Sequence, residues 1–473
     1  MTRIPSQISM NNVVTQKKVF LETYGCQMNE YDSELVRSIL KKENYEFVTD
    51  EFKADIVMLN TCAIREHAHR KVYGRVHNIR NARGEDSPVM IGILGCMATN
   101  LRQELLEDRS LKIDFIAGPD SYKRLPQLIN EAFDEGQKSY DITLSEFETY
   151  SDIYPSGEDR DKHETKSRVN AWIAVMRGCN NFCTFCVVPY TRGRERSRSP
   201  ENVVEEVRRL AGEGYKQITL LGQNVNSYRY DDYDFAYLMD EVSKVDGIER
   251  IRFSSPHPKD FPDRFLDLMA ENPKICKHIH LPLQAGNNRI LDMMNRTYTN
   301  EEFLMLADKI KKKIPGVALS TDIIVGFPTE TDNEFDDTLE VVKKVEFNVA
   351  FMFKYSERQG TIATKKYPDD VAPAIKTERI TRLIELQREI TYKKNKELVG
   401  SIQTVLLEPY PEAKNTNQMP GRTDGNVLVI LPLGDYKGGD LIQVNITDAT
   451  PHALKAMPIK NTCNFLPTPA FKG

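Results

Sequence analysis

Apolar and polar positions in the first part of the chain predict strands that are each followed by a helix. A short apolar stretch at 19–24 is typical of a strand, and residues 31–42 place four aliphatic side chains on one face of a helix. The same order recurs at 56–59 and 64–80, at 89–94 and 101–107, and at 114–117 and 122–133. This alternation predicts a parallel sheet flanked by helices, an α/β domain over residues 17–133.

Residues 169–399 repeat the alternation in a second, larger domain. We predict helices between six strands, which lie at 171–176, 217–221, 250–253, 278–281, 318–325 and 349–353. A long charged helix at 377–399 ends the domain. Six strand–helix units are fewer than the eight of a closed (β/α) barrel, so a complete barrel is not expected.

The pattern changes again after residue 400. Short strands at 404–407, 427–431 and 441–446, separated by glycine-rich turns, predict a small β-barrel over residues 400–463. Residues 134–168, which are rich in Asp, Glu, Ser and Tyr, are interpreted as a linker between the first two domains.

Length and composition are those of a globular protein with several domains. With 473 residues, 28% charged and 40% hydrophobic, the chain can form two or three cores. It has no apolar run near the ~18 residues of a membrane span. Residues 1–16 form a polar leader without the apolar region of a signal peptide. We therefore expect a cytoplasmic protein that does not associate with membranes.

The net charge of −5 neither excludes nor establishes RNA binding. Residues 131–165 hold eleven acidic and three basic residues, a local charge of −8, which leaves +3 for the rest of the chain. Because the distribution of charge matters more than its total, RNA could bind elsewhere on the surface.

Three cysteines in one loop, Cys179, Cys183 and Cys186, carry the most informative spacing. They follow the first central strand and are separated by three residues and then two. A structural zinc site would normally add a fourth Cys or His at short spacing, and none follows nearby. Soft thiolates also suit iron–sulfur clusters, and three of them on a four-iron cluster leave one iron open to a small molecule. The alternatives are a zinc loop and three unrelated core thiols.

A second trio, Cys26, Cys62 and Cys96, is spread over the first domain. Each cysteine follows a predicted strand, and the gaps of 36 and 34 residues are close to one βαβ unit. Because parallel strands end at the same edge of a sheet, we expect the three thiols to converge there. We predict a second cluster with three protein ligands and one open iron; three core thiols are the alternative.

The C-x3-C-x2-C spacing, with Phe185 just before the third cysteine, resembles the signature of the radical S-adenosylmethionine (SAM) enzymes. The resemblance implies that SAM binds the open iron, and that an electron from the cluster breaks its C–S bond to release a 5′-deoxyadenosyl radical. It also implies an open, partial (β/α)6 barrel for the central domain. The C-terminal stretch resembles the TRAM domain, an RNA-binding appendage of tRNA-modifying enzymes.

Together the three parts resemble the methylthiotransferase family of radical SAM enzymes over nearly the whole chain. Residues 24–29, 60–65 and 183–193 are most similar to the members that act on N(6)-dimethylallyladenosine in tRNA. The resemblance implies two [4Fe–4S] clusters, SAM, and addition of a methylthio group to C2 of that adenosine, which lies next to the anticodon.

The same resemblance implies the partners of the protein. They are the anticodon stem-loop of tRNA, an electron donor, and a sulfur or iron–sulfur supply protein; the chain itself is expected to be a monomer. One alternative is the same chemistry on threonylcarbamoyl-adenosine in tRNA or on a ribosomal-protein aspartate. The other is a metal-bearing RNA-binding protein that is not an enzyme.

Strand ends of the central domain are the candidates for SAM binding, because barrel active sites lie at the carboxyl ends of the strands. Amides and glycine-rich loops there can hydrogen-bond the ribose, adenine and methionyl groups. The candidate residues are Gln223, Asn224, Gln284, Asp322, Gly326 and Phe327.

Basic residues near the cysteines are the candidates for contact with RNA phosphates. They are Arg65, Arg70 and Lys71 after Cys62, Arg192 and Arg194 after Cys186, and Arg422 in the third domain. The basic loop after Cys186 could instead bind the SAM carboxylate through a bidentate guanidinium. A solvated basic surface is the alternative for each run.

Overall fold

The first six strands of the chain form one parallel sheet. The computed structural model describes residues 16–63, 66–84, 89–135, 138–160, 168–410 and 417–459. The strands are β1 (Lys18–Tyr24), β2 (Glu46–Phe47), β3 (Ile56–Thr61), β4 (Met90–Gly95), β5 (Phe115–Ala117) and β6 (Ser139–Asp141). They pair in the order β2-β1-β3-β4-β5-β6, which confirms the predicted α/β architecture.

Helices cover both faces of this sheet. They are α1 (Gln27–Lys42), α2 (Glu66–Arg83), α3 (Cys96–Asn100), α4 (Arg102–Glu107), α5 (Leu125–Glu135) and α6 (Gly157–Arg160). Successive residues of β3 alternate between two buried apolar clusters: Met58 packs on the side of α1, and Leu59 packs on the side of α2. A strand buried on both faces has no polar alternation, as expected for a parallel sheet.

The predicted linker 134–168 contributes to this first domain. It contains β6, and Tyr150 beyond it is fully buried, stacked on Tyr122 at 5.8 Å. The Tyr150 hydroxyl donates to the carbonyl of Pro119, and Asp159 forms an ion pair with Lys41 at 2.8 Å. Tyr150 of this segment therefore fills a core, although the composition of the segment is that of a linker.

The central domain is an open barrel of six parallel strands, which form two sheets, and it also contains two small hairpins. The six barrel strands are β7 (Asn170–Ala174), β10 (Gln217–Leu221), β13 (Arg250–Phe253), β14 (His278–His280), β15 (Ala318–Val325) and β16 (Val349–Lys354). One hairpin consists of β8 (Met176–Arg177) and β9 (Arg196–Ser197), and a second consists of β11 (Arg229–Tyr230) and β12 (Tyr233–Asp234). Sheets β13-β10-β7 and β14-β15-β16 are joined by a single bridge between Ile251 and Ile275. The six long strands confirm the predicted partial barrel.

Helices between these strands enclose the largest apolar core of the molecule's described part. They are α7 (Val188–Thr191), α8 (Pro200–Gly212), α9 (Phe235–Ser243), α10 (Asp263–Glu271), α11 (Asn288–Met293), α12 (Asn300–Lys313), α13 (Asp332–Val345), α14 (Ile362–Lys366) and α15 (Pro373–Glu397). No helix in the described ranges has the length and apolar character needed to cross a membrane.

The third domain is a closed five-stranded barrel. Its strands are β17 (Ile402–Leu407), β18 (Gln418–Thr423), β19 (Leu428–Pro432), β20 (Leu441–Ala449) and β21 (Leu454–Pro458), in the order β17-β18-β19-β21-β20. Two buried arginines of β13 attach it to the central domain. Arg250 donates to the carbonyls of Thr404 and Arg422, and Arg252 donates to those of Thr423 and Asp424.

Candidate metal centres

The first cysteine trio lies at the carboxyl ends of three neighbouring strands. Cys26 follows β1, Cys62 follows β3, and Cys96 follows β4, so the sheet order brings them together as the sequence predicts. Cys62 and Cys96 are buried, and Cys26 is exposed. A hydrogen bond with Cys62 lowers the pKa of the Cys26 thiol to about 6, and the positive charge of Arg192 acts in the same direction.

Two glycines and two amides shape this edge. Cys26 Sγ contacts Asn29 Oδ1 at 3.2 Å, and the Asn29 amide donates to Asn60 Oδ1 at 3.1 Å. A Cβ atom on Gly25 would lie 2.9 Å from the Cβ of Cys62, and one on Gly95 would lie 2.4 Å from Asn60 Oδ1. Gly25 and Gly95 are therefore needed where the backbone approaches its neighbours too closely for a side chain.

The side chain of Arg192 contacts a cysteine of this trio. Its side chain is 3% exposed, its Nε donates to Cys96 Sγ at 3.1 Å, and its Nη2 donates to Asp32 at 2.7 Å. The other oxygen of Asp32 accepts a hydrogen bond from Arg177 at 2.7 Å. The prediction that Arg192 contacts RNA is therefore wrong, because its guanidinium is buried among these partners.

The second trio forms a loop directly after β8. Cys179 and Cys183 are buried, and Cys186 is half-buried. Burial raises the pKa of Cys179 to about 11 and that of Cys186 to about 12. Metal binding would have to displace these protons, because the thiolate is the ligand.

Arg296 anchors the second trio from a distant part of the chain. Its Nη1 donates to Cys183 Sγ at 3.3 Å, and it also donates to the carbonyl of Pro282 and the hydroxyl of Tyr298. The Thr184 hydroxyl donates to the carbonyl of Met293, next to the same segment. Sequence reasoning missed Arg296, because 113 residues separate it from Cys183 and it belongs to no cysteine motif.

The two trios lie beside each other. Val187, which follows Cys186, forms one buried apolar cluster with Cys96 and with Ala63, which follows Cys62. The short helices α3 and α7, which begin at Cys96 and Val188, are in contact. The last cysteine of the first trio, Cys96, and the first cysteine of the second, Cys179, are 83 residues apart in sequence, yet the two trios share one region between the first two domains.

Two of the predicted SAM contacts lie next to the second trio. Gln223 accepts a hydrogen bond from the backbone N–H of Gly178 at 2.6 Å, directly before Cys179. Asn224 is buried and its amide donates to Glu195 at 3.2 Å. Its Oδ1 is buried and has no hydrogen-bond partner among the described residues, so it can accept one from a ligand.

The other predicted SAM contacts are divided between the barrel interior and the core. Asp322 accepts a hydrogen bond from His280 at 3.1 Å, and Gln284 is buried with a left-handed backbone, φ +70°. The Gly326 N–H donates to Glu330 at 2.6 Å. The Phe327 ring is fully buried, 5.1 Å from Tyr355, and fills the core. The contact of Phe327 with SAM stays a prediction.

The remaining basic candidates differ in how they are bound. Arg194 is exposed, with its guanidinium 5.1 Å from the Phe182 ring, and Lys71 is exposed. Arg422 is partly exposed and bound to Glu408 at 2.6 Å. Arg65 and the side chain of Arg70 lie outside the described residues.

Arginines further along α2 bind the protein itself. Arg75 pairs with Glu22 at 2.8 Å, and Arg80 pairs with Asp114 at 2.8 Å. This part of the basic run therefore supports the sheet, which leaves fewer charges for RNA than the sequence indicates.

The donor set, two trios of cysteines, fits iron–sulfur clusters, whose irons bind soft thiolates. In the ranges that the structure describes, no three His, Cys, Asp or Glu side chains converge as the ligands of one ion would. A cluster binds its thiolates through different irons, so they need not meet at one point. The buried Nη1 of Arg192 has no acceptor in the described part of the chain, which suits an anionic group at the first trio.

Comparisons with known proteins agree with the division of the chain into a first and a central domain. A model of the radical SAM superfamily matches residues 173–342, and one described as uncharacterized protein family UPF0004 matches residues 18–118. The chain is 44% identical to the tRNA-2-methylthio-N(6)-dimethylallyladenosine synthase of Prosthecochloris aestuarii, over 92% of the chain and 96% of the relative. The enzyme of the same name from Thermoanaerobacter sp. is 43% identical, over 94% and 93%.

Among solved structures, the fold is similar to the radical SAM methyltransferase TsrM of Kitasatospora setae, solved with cobalamin and a [4Fe–4S] cluster bound. The TM-score is 0.54 at 14% identity, with 82% of this chain and 80% of that chain covered. At this identity the similarity concerns the fold alone.

Proposed function

The chain belongs to the family of tRNA-2-methylthio-N(6)-dimethylallyladenosine synthases, and on this basis we propose how its residues divide the reaction. It is a radical SAM transferase that uses [4Fe–4S] clusters and SAM. The reaction adds a methylthio group at C2 of N(6)-dimethylallyladenosine in tRNA. The modified nucleoside lies in the anticodon stem-loop, where bases can be splayed out and held by stacking.

We assign one cluster to each trio. Cys179, Cys183 and Cys186 hold the cluster that binds SAM, and Cys26, Cys62 and Cys96 hold the auxiliary cluster. When bound, the clusters and SAM supply the radical and sulfur chemistry that the barely acidic C–H of an adenine ring requires. The protein positions the groups and limits access of water by burying Cys62, Cys96, Cys179 and Cys183.

The contact of Val187 with Cys96 and Ala63 is the observation that supports this assignment most strongly. A methylthio group must pass from one centre to a nucleoside activated at the other. That transfer requires both centres at one cavity, because positioning of reacting groups accounts for much of the barrier reduction in enzymes.

Other residues of the strand ends take supporting roles in this proposal. The unsatisfied Oδ1 of Asn224 accepts a hydrogen bond from SAM, and Gln223 fixes the backbone before Cys179. Exposed Arg194 and Lys71 contact tRNA phosphates. Arg422 and the third domain, which is TRAM-like, extend the RNA surface.

The domain division of the proposal is 17–133, 169–399 and 400–463; the segment 134–168 connects the first two and adds β6 and Tyr150 to the first. An electron donor and a sulfur or iron–sulfur supply protein complete the system. Thiolate ligands require a reducing compartment, which favours the cytoplasm.

The test is product formation by reconstituted enzyme. Incubation with SAM, a reductant and tRNA that carries N(6)-dimethylallyladenosine should give 2-methylthio nucleoside, detected by mass spectrometry after digestion. The same tRNA without the dimethylallyl group and tRNA with threonylcarbamoyl-adenosine are the controls. Product on threonylcarbamoyl-adenosine alone, or on a ribosomal protein alone, would contradict the proposed substrate.

A further inference from the structure

Three buried charged side chains connect the two trios. Arg192 contacts Cys96 of the first trio, and Arg177 lies two residues before Cys179 of the second. Asp32 of α1 binds both guanidiniums, each at 2.7 Å, and is itself completely buried. Asp32 is therefore the carboxylate that directly binds both cations, and Asp120, which pairs with Arg196 at 2.9 Å, adds a second negative charge nearby.

The charges in this group do not cancel, because three guanidiniums, those of Arg177, Arg192 and Arg196, face two carboxylates, those of Asp32 and Asp120. The guanidinium of Arg177 lies 4.7 Å from the centre of the Tyr150 ring, and this cation–π contact compensates part of its positive charge. Arg192 has no such compensation among the described residues: its Nε contacts the Cys96 thiol, and its Nη1 is buried without an acceptor. Burying an unsatisfied donor is costly. Arg177 also has buried nitrogens without an acceptor, but only the guanidinium of Arg192 contacts a cysteine, so its Nη1 suits an anionic group bound at the first trio.

We infer that Arg192 is a positioning residue that tunes the auxiliary cluster, and that Asp32 sets the strength of its charge. The inference rests on the proposed assignment of that cluster to Cys26, Cys62 and Cys96. Hydrogen bonds and positive charge at a ligand sulfur stabilise the reduced, more negative cluster and raise its reduction potential. Asp32 opposes this effect because its negative charge offsets the guanidinium.

The second trio has a related contact with different partners. Arg296 donates to Cys183, but its other hydrogen bonds go to the neutral groups of Pro282 and Tyr298. Among the described contacts, the arginine at the first trio therefore has its charge offset by a carboxylate, and the arginine at the second trio does not. Substitution of Asp32 should act on the auxiliary cluster through Arg192, which contacts Cys96.

The test measures the reduction potential of the auxiliary cluster by redox titration followed by electron paramagnetic resonance. Cys179→Ala/Cys183→Ala/Cys186→Ala protein provides the background, so that only the first trio can hold iron. Arg192→Lys keeps the charge, but a lysine ammonium cannot reach Cys96 and Asp32 in the same fixed geometry. Asp32→Asn removes the compensating charge and keeps the shape.

Arg198→Lys is the matched control. Arg198 lies in the same segment, is 2% exposed and pairs with the Glu206 carboxylate at 2.7 Å, but its hydrogen bonds reach no cysteine. A general loss of packing would affect Arg192→Lys and Arg198→Lys alike. Iron content is measured for every variant.

We expect a more negative potential in Arg192→Lys, a more positive one in Asp32→Asn, and an unchanged one in Arg198→Lys, all at equal iron content. An unchanged potential in Arg192→Lys, or an equal shift in Arg198→Lys, would overturn the inference. If Asp32→Asn does not fold, Arg192→Lys against Arg198→Lys decides. A background protein that holds no iron would instead refute the assignment of the auxiliary cluster.

Discussion

At the scale of single residues, Gly95 determines where Cys96 lies. It ends β4 in a left-handed conformation, φ +85°, and a Cβ there would lie 2.4 Å from Asn60 Oδ1 and 2.8 Å from the carbonyl of Thr61. Asn60 cannot move freely, since its amide donates to the carbonyl of Asn29 and to Ser33. The position therefore demands glycine for two independent reasons, conformation and space.

Gly95→Ala should destabilise the protein more than an alanine that adds backbone strain alone. Gly316→Ala is the matched control, because Gly316 has φ +77° but no neighbouring atom within 4 Å of the position that a Cβ would take. We expect a loss of about 1 kcal/mol for Gly316→Ala and of about 3 kcal/mol or more for Gly95→Ala in urea unfolding. Iron content should fall only in Gly95→Ala. Equal losses in the two variants would contradict this account of the cysteine edge.

The sequence predicts the cysteines of both sites but not the charged residues around them. A cysteine spacing or a strand-end placement carries information in one dimension, and the sheet order places the ends of β1, β3 and β4, which the first trio follows, next to one another. Arg192 lies in a basic run that is typical of a surface, and nothing local indicates that its partner is Asp32, 160 residues away. Buried ion pairs of this kind follow from the docking of domains, which sequence periodicity does not report.

At the scale of elements, helix α15 holds the loop that follows β15. Arg379 of α15 donates to Glu330 at 2.9 Å and to Asp332 at 2.7 Å, and Glu330 also accepts from the Gly326 N–H. Burial raises the pKa of Glu330 to about 7, although the charge of Arg379 acts in the opposite direction. The folded protein therefore binds a proton at Glu330 more tightly than the unfolded chain does.

Stability should consequently depend on pH through Glu330. A carboxyl group with a raised folded-state pKa contributes stability below its unfolded value, near 4.5, and this contribution is lost as pH rises through about 7. Glu330→Gln removes the titration, so the variant should gain up to about 3 kcal/mol relative to wild type between pH 5 and pH 8. Urea unfolding at both pH values measures the difference.

Asp336→Asn is the control for this experiment. Asp336 pairs with Arg382 at 2.6 Å, but both side chains are well exposed, and such pairs contribute little to stability. Its difference from wild type should be the same at both pH values. A pH-independent effect of Glu330→Gln would show that the carboxyl group is not protonated more readily in the folded state.

β18 is one of the elements that sequence reasoning missed, because its glycine and proline have a packing role. β18 contains Pro420 and Gly421, which indicate a turn by composition. In the barrel a Cβ on Gly421 would lie 2.4 Å from the Val405 side chain, so the glycine permits close approach of β17 instead. Long periodic segments such as α1 and β15 are predicted to within a few residues, because their burial pattern is visible in the sequence.

At the scale of the whole molecule, buried charges hold the first two domains together. Glu34 of α1 pairs with Arg160 at 2.8 Å, Arg160 pairs with Glu206 of α8, and Glu206 pairs with Arg198. Such pairs specify one arrangement of the domains, since removing either partner leaves a buried charge uncompensated. This fixed arrangement keeps Val187 against Cys96 and thus the two trios at one region.

The central claim is that each trio holds its own cluster and that SAM is cleaved at the second. Iron content and SAM cleavage should be measured in anaerobically reconstituted wild type, in Cys26→Ala/Cys62→Ala/Cys96→Ala protein and in Cys179→Ala/Cys183→Ala/Cys186→Ala protein. We predict that each variant retains half of the wild-type iron and that only the first still cleaves SAM. Zinc in place of iron, or SAM cleavage that survives loss of the second trio, would contradict the account.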